Sequence, residues 1–224
     1  MGVADNAYKG PEQWTGDDNE HNRKIYRNLA LMNMEEIYLL YPLFYDRLNA
    51  TIPHIRGSVL EVGCGNGNIT RWLAIKDNIS KIHAFDISQY AIDELKSYHY
   101  PGYEKISCEC SSLSQFLPHH GEKFDTLVMC EIIEHITLEE EIMFIDKIRR
   151  FMNYKKGTKG KQIGAQFVVS TPIGFMPDPT HCRGFSTPDF YKHISTYYGK
   201  IRGVTYTECQ QVAWGNLNPP ERGR

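Results

Sequence analysis

The sequence predicts an α/β fold with a doubly wound, Rossmann-like sheet, and three observations predict it. Val59-Leu-Glu-Val-Gly-Cys-Gly-Asn-Gly67 reads as a buried strand running into a glycine-rich turn and then a helix. His83-Ala-Phe-Asp86 reads as the next strand, closing on an acid. Downstream, short apolar runs alternate with helical periodicity, the pattern of strands joined by crossover helices.

Taken in order, Asn22–Met32 and Met34–Leu48 read as two helices, the second rich in Tyr and Leu and interrupted by Pro42. Residues 1–54 therefore form an N-terminal helical cap or lid ahead of a domain over 55–224, with Trp14 and Tyr26 as lid-side candidates. Helices preceding a first strand can reach its carboxyl edge, where open sheets bind ligands; otherwise they cover a sheet face or a dimer contact. Strands are expected at Ser58–Val62, Lys81–Phe85, Lys105–Glu109, Thr126–Cys130 and Gln166–Ser170. Ser88 caps a helix through Ala91, Ile92 and Leu95. Thr137 and Glu140 make a capping box for another, with Leu138, Ile142, Ile145, Ile148 and Met152 on one face. Thr187-Pro188 opens a third helix, closed by Gly199. Ile201–Thr207 and Gln211–Trp214 then suit a final antiparallel hairpin.

Glycines in the first turn of a βαβ unit let a ligand approach bare backbone, and an acid ending the second strand can accept from ribose hydroxyls. A nucleoside-bearing cofactor follows. A dinucleotide site wants G-x-G-x-x-G, but here the pattern is Gly63-x-Gly65-x-Gly67, with Asn68 at the third glycine's place. Glu61 precedes the turn. Its charge is a poor neighbour for a pyrophosphate and a good one for the ammonium or sulfonium of S-adenosylmethionine. On these residues the chain resembles the class I S-adenosylmethionine-dependent methyltransferases, whose first motif has the form E/D-x-G-x-G-x-G. The resemblance covers roughly Ile55 to Trp214 and implies a cofactor site built from Glu61, Gly63, Cys64, Gly65, Asp86 and Ile87, with Cys130 at the end of the fourth strand. After the third strand the family usually offers an acid or small polar group to the adenine amine. The matching stretch here lacks the common Asp and offers Ser111 or Ser112.

A second constellation, Cys130-Glu-Ile-Ile-Glu-His-Ile136, leaves the fourth strand at its ligand-facing end. On a tight helical turn Glu131, Glu134 and His135 share a face, and two carboxylates with an imidazole suit Mg²⁺ or Mn²⁺. The pattern is similar to the E-x-x-E-H of small-RNA 3′-terminal 2′-O-methyltransferases and ubiquinone-pathway O-methyltransferases, which implies Glu131, Glu134 and His135 as metal ligands. His181, in the loop after the fifth strand, would be the fourth. E-x-x-E-H also occurs in relatives without metal; His135 or His181 is then the general-base candidate, since an imidazole titrates near neutrality. Arg183, in the same loop as His181, is a candidate clamp for a substrate phosphate or carboxylate.

A chain of 224 residues with net charge −2 suits one soluble α/β domain plus an appendage, and nothing global marks a nucleic-acid or membrane partner. The apolar run Ile37 to Tyr45 is too short to span a bilayer. Six cysteines with no C-x-x-C pair, and no signal-peptide pattern, are expected to be reduced thiols in a cytoplasmic protein. The dense basic run Tyr154 to Lys161 and the His119–His120 pair read as solvated loops away from the cofactor edge. The leading expectation is an O-methyltransferase for a small hydroxylated acceptor: a sugar, or a phosphorylated or nucleotide-linked metabolite. Trp14-Thr-Gly16 with Glu20-His21 looks like the entry of some glycan-pathway methyltransferases. The alternatives are an RNA 3′-end 2′-O-methyltransferase, a small-molecule N-methyltransferase, and a binding protein that keeps the pocket without chemistry. Against the RNA reading stand the short spacing from His135 to His181 and the absence of a basic face in the sequence.

Overall fold

A computed structural model of the chain describes residues 32–156, 162–175, 178 and 180–220. The expected helix Asn22–Met32 up to its last residue, the lid candidates Trp14 and Tyr26, the Trp14–His21 motif and residues 157–161 of the basic run lie outside these residues. Two helices come first, α1 (Met34–Leu40) and α2 (Pro42–Thr51), split where Tyr41 leaves helical geometry ahead of Pro42. The parallel core follows with β1 (Gly57–Val62), α3 (Thr70–Ala74), β2 (Ile79–Asp86), α4 (Gln89–Ser97), β3 (Ile106–Cys110), β4 (Thr126–Cys130), α5 (Leu138–Ile148) and β5 (Gln166–Pro172). The chain ends with α6 (Thr187–Tyr197) and the hairpin strands β6 (Gly199–Tyr206) and β7 (Gln210–Leu217). A two-residue ribbon, Lys155–Lys156 with Gln162–Ile163, stands apart from the sheet.

The seven-stranded sheet runs β3-β2-β1-β4-β5-β7-β6, parallel except for the hairpin, which joins β5 antiparallel through β7. This is the class I methyltransferase fold. Alternate residues of each strand feed the two faces. Leu60, Val62, Leu127, Met129, Phe167 and Val169 meet α5 and α6 through Phe144, Ile145, Phe190 and Ile194. Val59, Ala84, Val128, Val168 and Val212 meet α3 and α4, and the same cluster takes in Ile37, Phe44 and Leu48 of α1 and α2. The described part of the N-terminal segment thus shares a core with the sheet.

Helix starts follow their capping chemistry. Ser88 caps α4 by accepting from the Ala91 amide, and Thr137 with Glu140 forms the capping box of α5. Two details differ from expectation. The N-cap of α6 is Ser186, which accepts from the Asp189 amide, and Gly199 opens β6. On α5 the buried face is Glu141, Phe144, Ile145 and Ile148, whereas Leu138 is exposed and Ile142 half-buried. The face turns because Glu141 carries its own buried partners, described below.

Candidate active site

The sheet order reverses between β1 and β4, and their carboxyl ends open a crevice of the kind that binds ligands in doubly wound folds. The first turn bends there through three glycines of positive φ, among them Gly63 (+65°) and Gly65 (+53°). The positive φ of Gly63 favours glycine, and a methyl group there would also press on the tip of the Ile132 side chain. A methyl on Gly65 would meet nothing within 4 Å: its bare backbone faces open space. The Gly65 amide donates to Asp86 Oδ2 (2.8 Å) and the Ser88 amide to Oδ1 (2.9 Å), so Asp86 ties the turn to the end of β2. Beside them Asn66 donates to Glu94 Oε2 and Tyr90 to Glu94 Oε1.

Glu61 sits under this turn, 3 % exposed, and its Oε2 has no hydrogen-bond partner among the described residues. Burial, and then the neighbouring Asp86 charge, push its carboxyl up to about 8. A buried carboxylate facing another acid asks for a cation. Past the end of the neighbouring β3, the Ser111 amide donates to Asp86 O, and Ile87 O accepts from the Cys110 thiol. Ser112 is bonded locally to Ser114 and Gln115. Cys64 and Cys130 are both buried; burial raises both thiols, Cys130 to about 12, so neither is a thiolate at neutral pH.

The second constellation is arranged otherwise than a helical turn would arrange it. Glu131 has φ +57°, the one positive-φ non-glycine among the described residues. That backbone turns its carboxylate away: Oε1 accepts from Ser170 (2.7 Å), Oε2 accepts from Gln210 (2.9 Å) and lies 3.8 Å from Arg47 Nη1. Glu134, His135 and His181 do converge, offering ligand atoms all within 4.8 Å of one another, and Glu131 is not in that group. Glu134 is 1 % exposed; its Oε2 accepts from Thr171, while Oε1 has no hydrogen-bond partner among the described residues. Burial, then the Glu131 charge, raise its carboxyl well above the usual range. His135 lies edge-on to His181 at 4.6 Å between ring centroids, and its Nδ1 lies 3.3 Å from Thr180 O. Burial, then the second imidazole, lower His135 to about 4, which keeps the ring neutral and able to ligate. An orphaned buried carboxylate oxygen beside two imidazoles fits a divalent cation.

Arg183 departs from expectation. Its Nη2 donates to Glu141 Oε2 (2.7 Å) and to Ile133 O, so it joins the loop to α5 and is not presented to a substrate. Sequence reasoning missed Arg47, Ser170, Gln210 and Glu141. The first three gave no signal. Glu141 did, as a carboxylate at the i+3 and i−4 places of an apolar helix stripe.

Residues 59–155 match a sequence family described as a methyltransferase domain, which makes this stretch, with its glycine turn, Asp86 and the Glu131–His135 turn, an enzyme module. Among curated proteins no sequence matches the chain. Among solved structures it is similar to DhpI in complex with SAH, at 15 % identity over 88 % of this chain and 95 % of that one, with a TM-score of 0.60. It is similar to the plantazolicin methyltransferase BpumL in complex with SAH, at 12 % identity over 90 % and 92 %, with a TM-score of 0.57. The methyltransferase domain of bacterial CtHen1-C aligns at 19 % identity over 83 % and 99 %, with a TM-score of 0.55. These likenesses carry the fold. No helix among the described residues is long and apolar enough to cross a membrane.

Proposed function

We propose, from a methyltransferase domain spanning residues 59–155, that the protein transfers a methyl group from S-adenosylmethionine to a hydroxyl of a small hydroxylated acceptor, with a divalent ion, Mg²⁺ or Mn²⁺, assisting. The convergence of Glu134, His135 and His181 after β4, with the open backbone of Gly65 after the neighbouring β1, carries the reading. Asp86 would accept from the ribose, Glu61 would meet the ammonium, and Ser111 with Ile87 would border the base. The cofactor supplies an electrophilic methyl; the chain's part is to hold the acceptor oxygen in line with it and manage its proton. Glu134, His135 and His181 would hold the ion, which would lower the acceptor's pKa. Without an ion, neutral His135 or His181 would take the proton. Residues 1–54 would form one wall of the acceptor pocket, Arg47 reaching Glu131 from that side.

A basic cluster among the described residues lies away from the candidate site, which supports a small acceptor over RNA. Lys123, Arg149 and Arg150 line a cavity of about 410 Å³ at the amino end of β4, the edge opposite the crevice. A 3′-terminal RNA methyltransferase remains the second reading, supported by the Glu134–His135–His181 group and the fold shared with CtHen1-C. Calorimetric titration of S-adenosylhomocysteine (SAH) into chelator-treated protein, repeated with Mn²⁺ and beside NAD, tests the proposal. Binding of SAH but not NAD, and a Mn²⁺ signal lost in Glu134→Ala, is the expected result. No SAH binding overturns the cofactor assignment, and no Mn²⁺ signal overturns the metal.

A further inference from the structure

Behind the candidate site lies a buried carboxylate that the proposed chemistry does not use. Glu141, on the core face of α5, is 0 % exposed. Its Oε2 accepts from Arg183 (2.7 Å), its Oε1 from the Tyr198 hydroxyl (2.6 Å), and His193 Nε2 lies 2.9 and 3.0 Å from the two oxygens. Burial alone would raise this carboxyl, but the hydrogen bond and charge of His193, then the Arg183 charge, hold it below its ordinary value. It is an ionised group solvated by protein.

One of its partners, Arg183, belongs to the loop that carries His181, while His193 and Tyr198 come from α6 and its C-cap. Arg183 lies two residues past His181. The backbone amides of Cys182 and Arg183 both donate to Glu134 O, and the Arg183 side chain also reaches Ile133 O. The loop bearing His181 is therefore fastened to the turn bearing Glu134 and His135 at Thr180, Cys182 and Arg183, and of these Arg183 is the one whose side chain is held from behind by Glu141. We propose that Glu141 is a positioning residue: through Arg183 it sets the His181 loop against the Glu134–His135 turn and so fixes the geometry of the three-ligand group. The inference deepens the metal-assisted reading and rests on it for function, although its geometric content stands apart. Outer residues that orient metal ligands typically change metal affinity or activity by about 10- to 100-fold when altered.

The test compares Glu141→Gln, which removes the charge that holds Arg183, with Ile194→Val, a destabilising change in the same core that leaves every Glu141 partner intact. Two readouts are taken on the full chain: the ring NMR signals of His135 and His181 without added metal, and Mn²⁺ affinity. The expected result for Glu141→Gln is displaced ring signals and a roughly 10- to 100-fold loss of Mn²⁺ affinity. SAH affinity stays at the wild-type value, and Ile194→Val moves neither readout. Ring signals unchanged in Glu141→Gln, or moved equally in Ile194→Val, overturn the proposal. If wild-type protein binds no Mn²⁺, the metal reading falls alone, and the ring signals still decide the positioning role. Should Glu141→Gln fail to fold, Arg183→Lys leaves His193 and Tyr198 on Glu141 and reads the same signals.

Discussion

Replacing Glu61 with Gln is the sharpest probe of the cofactor site. In the ligand-free protein Glu61 is held neutral up to about pH 8 by burial and by Asp86. A ligand ammonium docking against it reverses that preference and expels the proton. The interval from an ordinary 4.5 to about 8 corresponds to about 5 kcal/mol between the two protonation states, an upper bound on what the pairing can recover. While the complex keeps Glu61 ionised, SAH affinity should rise about tenfold per pH unit below 8, or roughly 50-fold from pH 6 to pH 8, with about one proton released at pH 7. Glu61→Gln should bind weakly and without this slope. Linkage to folding runs the other way. A carboxyl raised in the folded state contributes stability below about pH 4.5 that is lost as pH climbs towards 8, so Glu61→Gln should be the more stable ligand-free protein at pH 8. Calorimetry at pH 6, 7 and 8 in buffers of different ionisation enthalpy reads the slope and the proton together. Equal slopes in wild type and variant, or no proton released, would refute the pairing of Glu61 with the ammonium.

Two further outcomes are expected. Gly65→Ala adds a methyl that collides with nothing, so the cost to the fold is the positive φ alone, about 1–2 kcal/mol; the methyl occupies the ligand's approach, and SAH affinity should drop at least about tenfold. A melting curve and a titration separate the two effects, and undiminished SAH binding would place the ligand elsewhere. His135 is lowered to about 4, so metal-free protein has its full stability above pH 6.5 and loses it as pH falls towards 4. The loss between pH 7 and pH 4.5 should be about 2–3 kcal/mol by urea midpoints and should shrink in His135→Gln; an unchanged pH profile in the variant would remove His135 as its source.

Strand β4 was legible to the residue, because Thr126–Cys130 is buried on both faces and reads as an unbroken apolar run. The capping box of α5 was legible because both its members are local. What the sequence concealed depended on distant partners. Nothing local accounts for the burial of Glu141, whose partners Arg183, His193 and Tyr198 come from 42 or more residues away. β7 runs past the expected Trp214 to Leu217, because Gly215 and Asn216 pair with Phe167 and Gln166 of β5 and Leu217 with Gly199 of β6. The spacing E-x-x-E-H names the right neighbourhood but presumes helical backbone, and the positive φ at Glu131 sends that carboxylate to Ser170 and Gln210 instead.

The shared core of α1, α2 and the sheet bears on whether the two helices can move. Ile37 and Leu48 are fully buried and Phe44 nearly so, all against the layer that contains α3, α4 and the sheet. Lifting the two helices as a unit would re-expose all three side chains, at about 1.5–3 kcal/mol each. At roughly 5–9 kcal/mol the lifted state is populated at about 10⁻⁴ to 10⁻⁷. Against that cost α1 and α2 stay seated on the sheet as a fixed flank of the domain and do not lift as a unit.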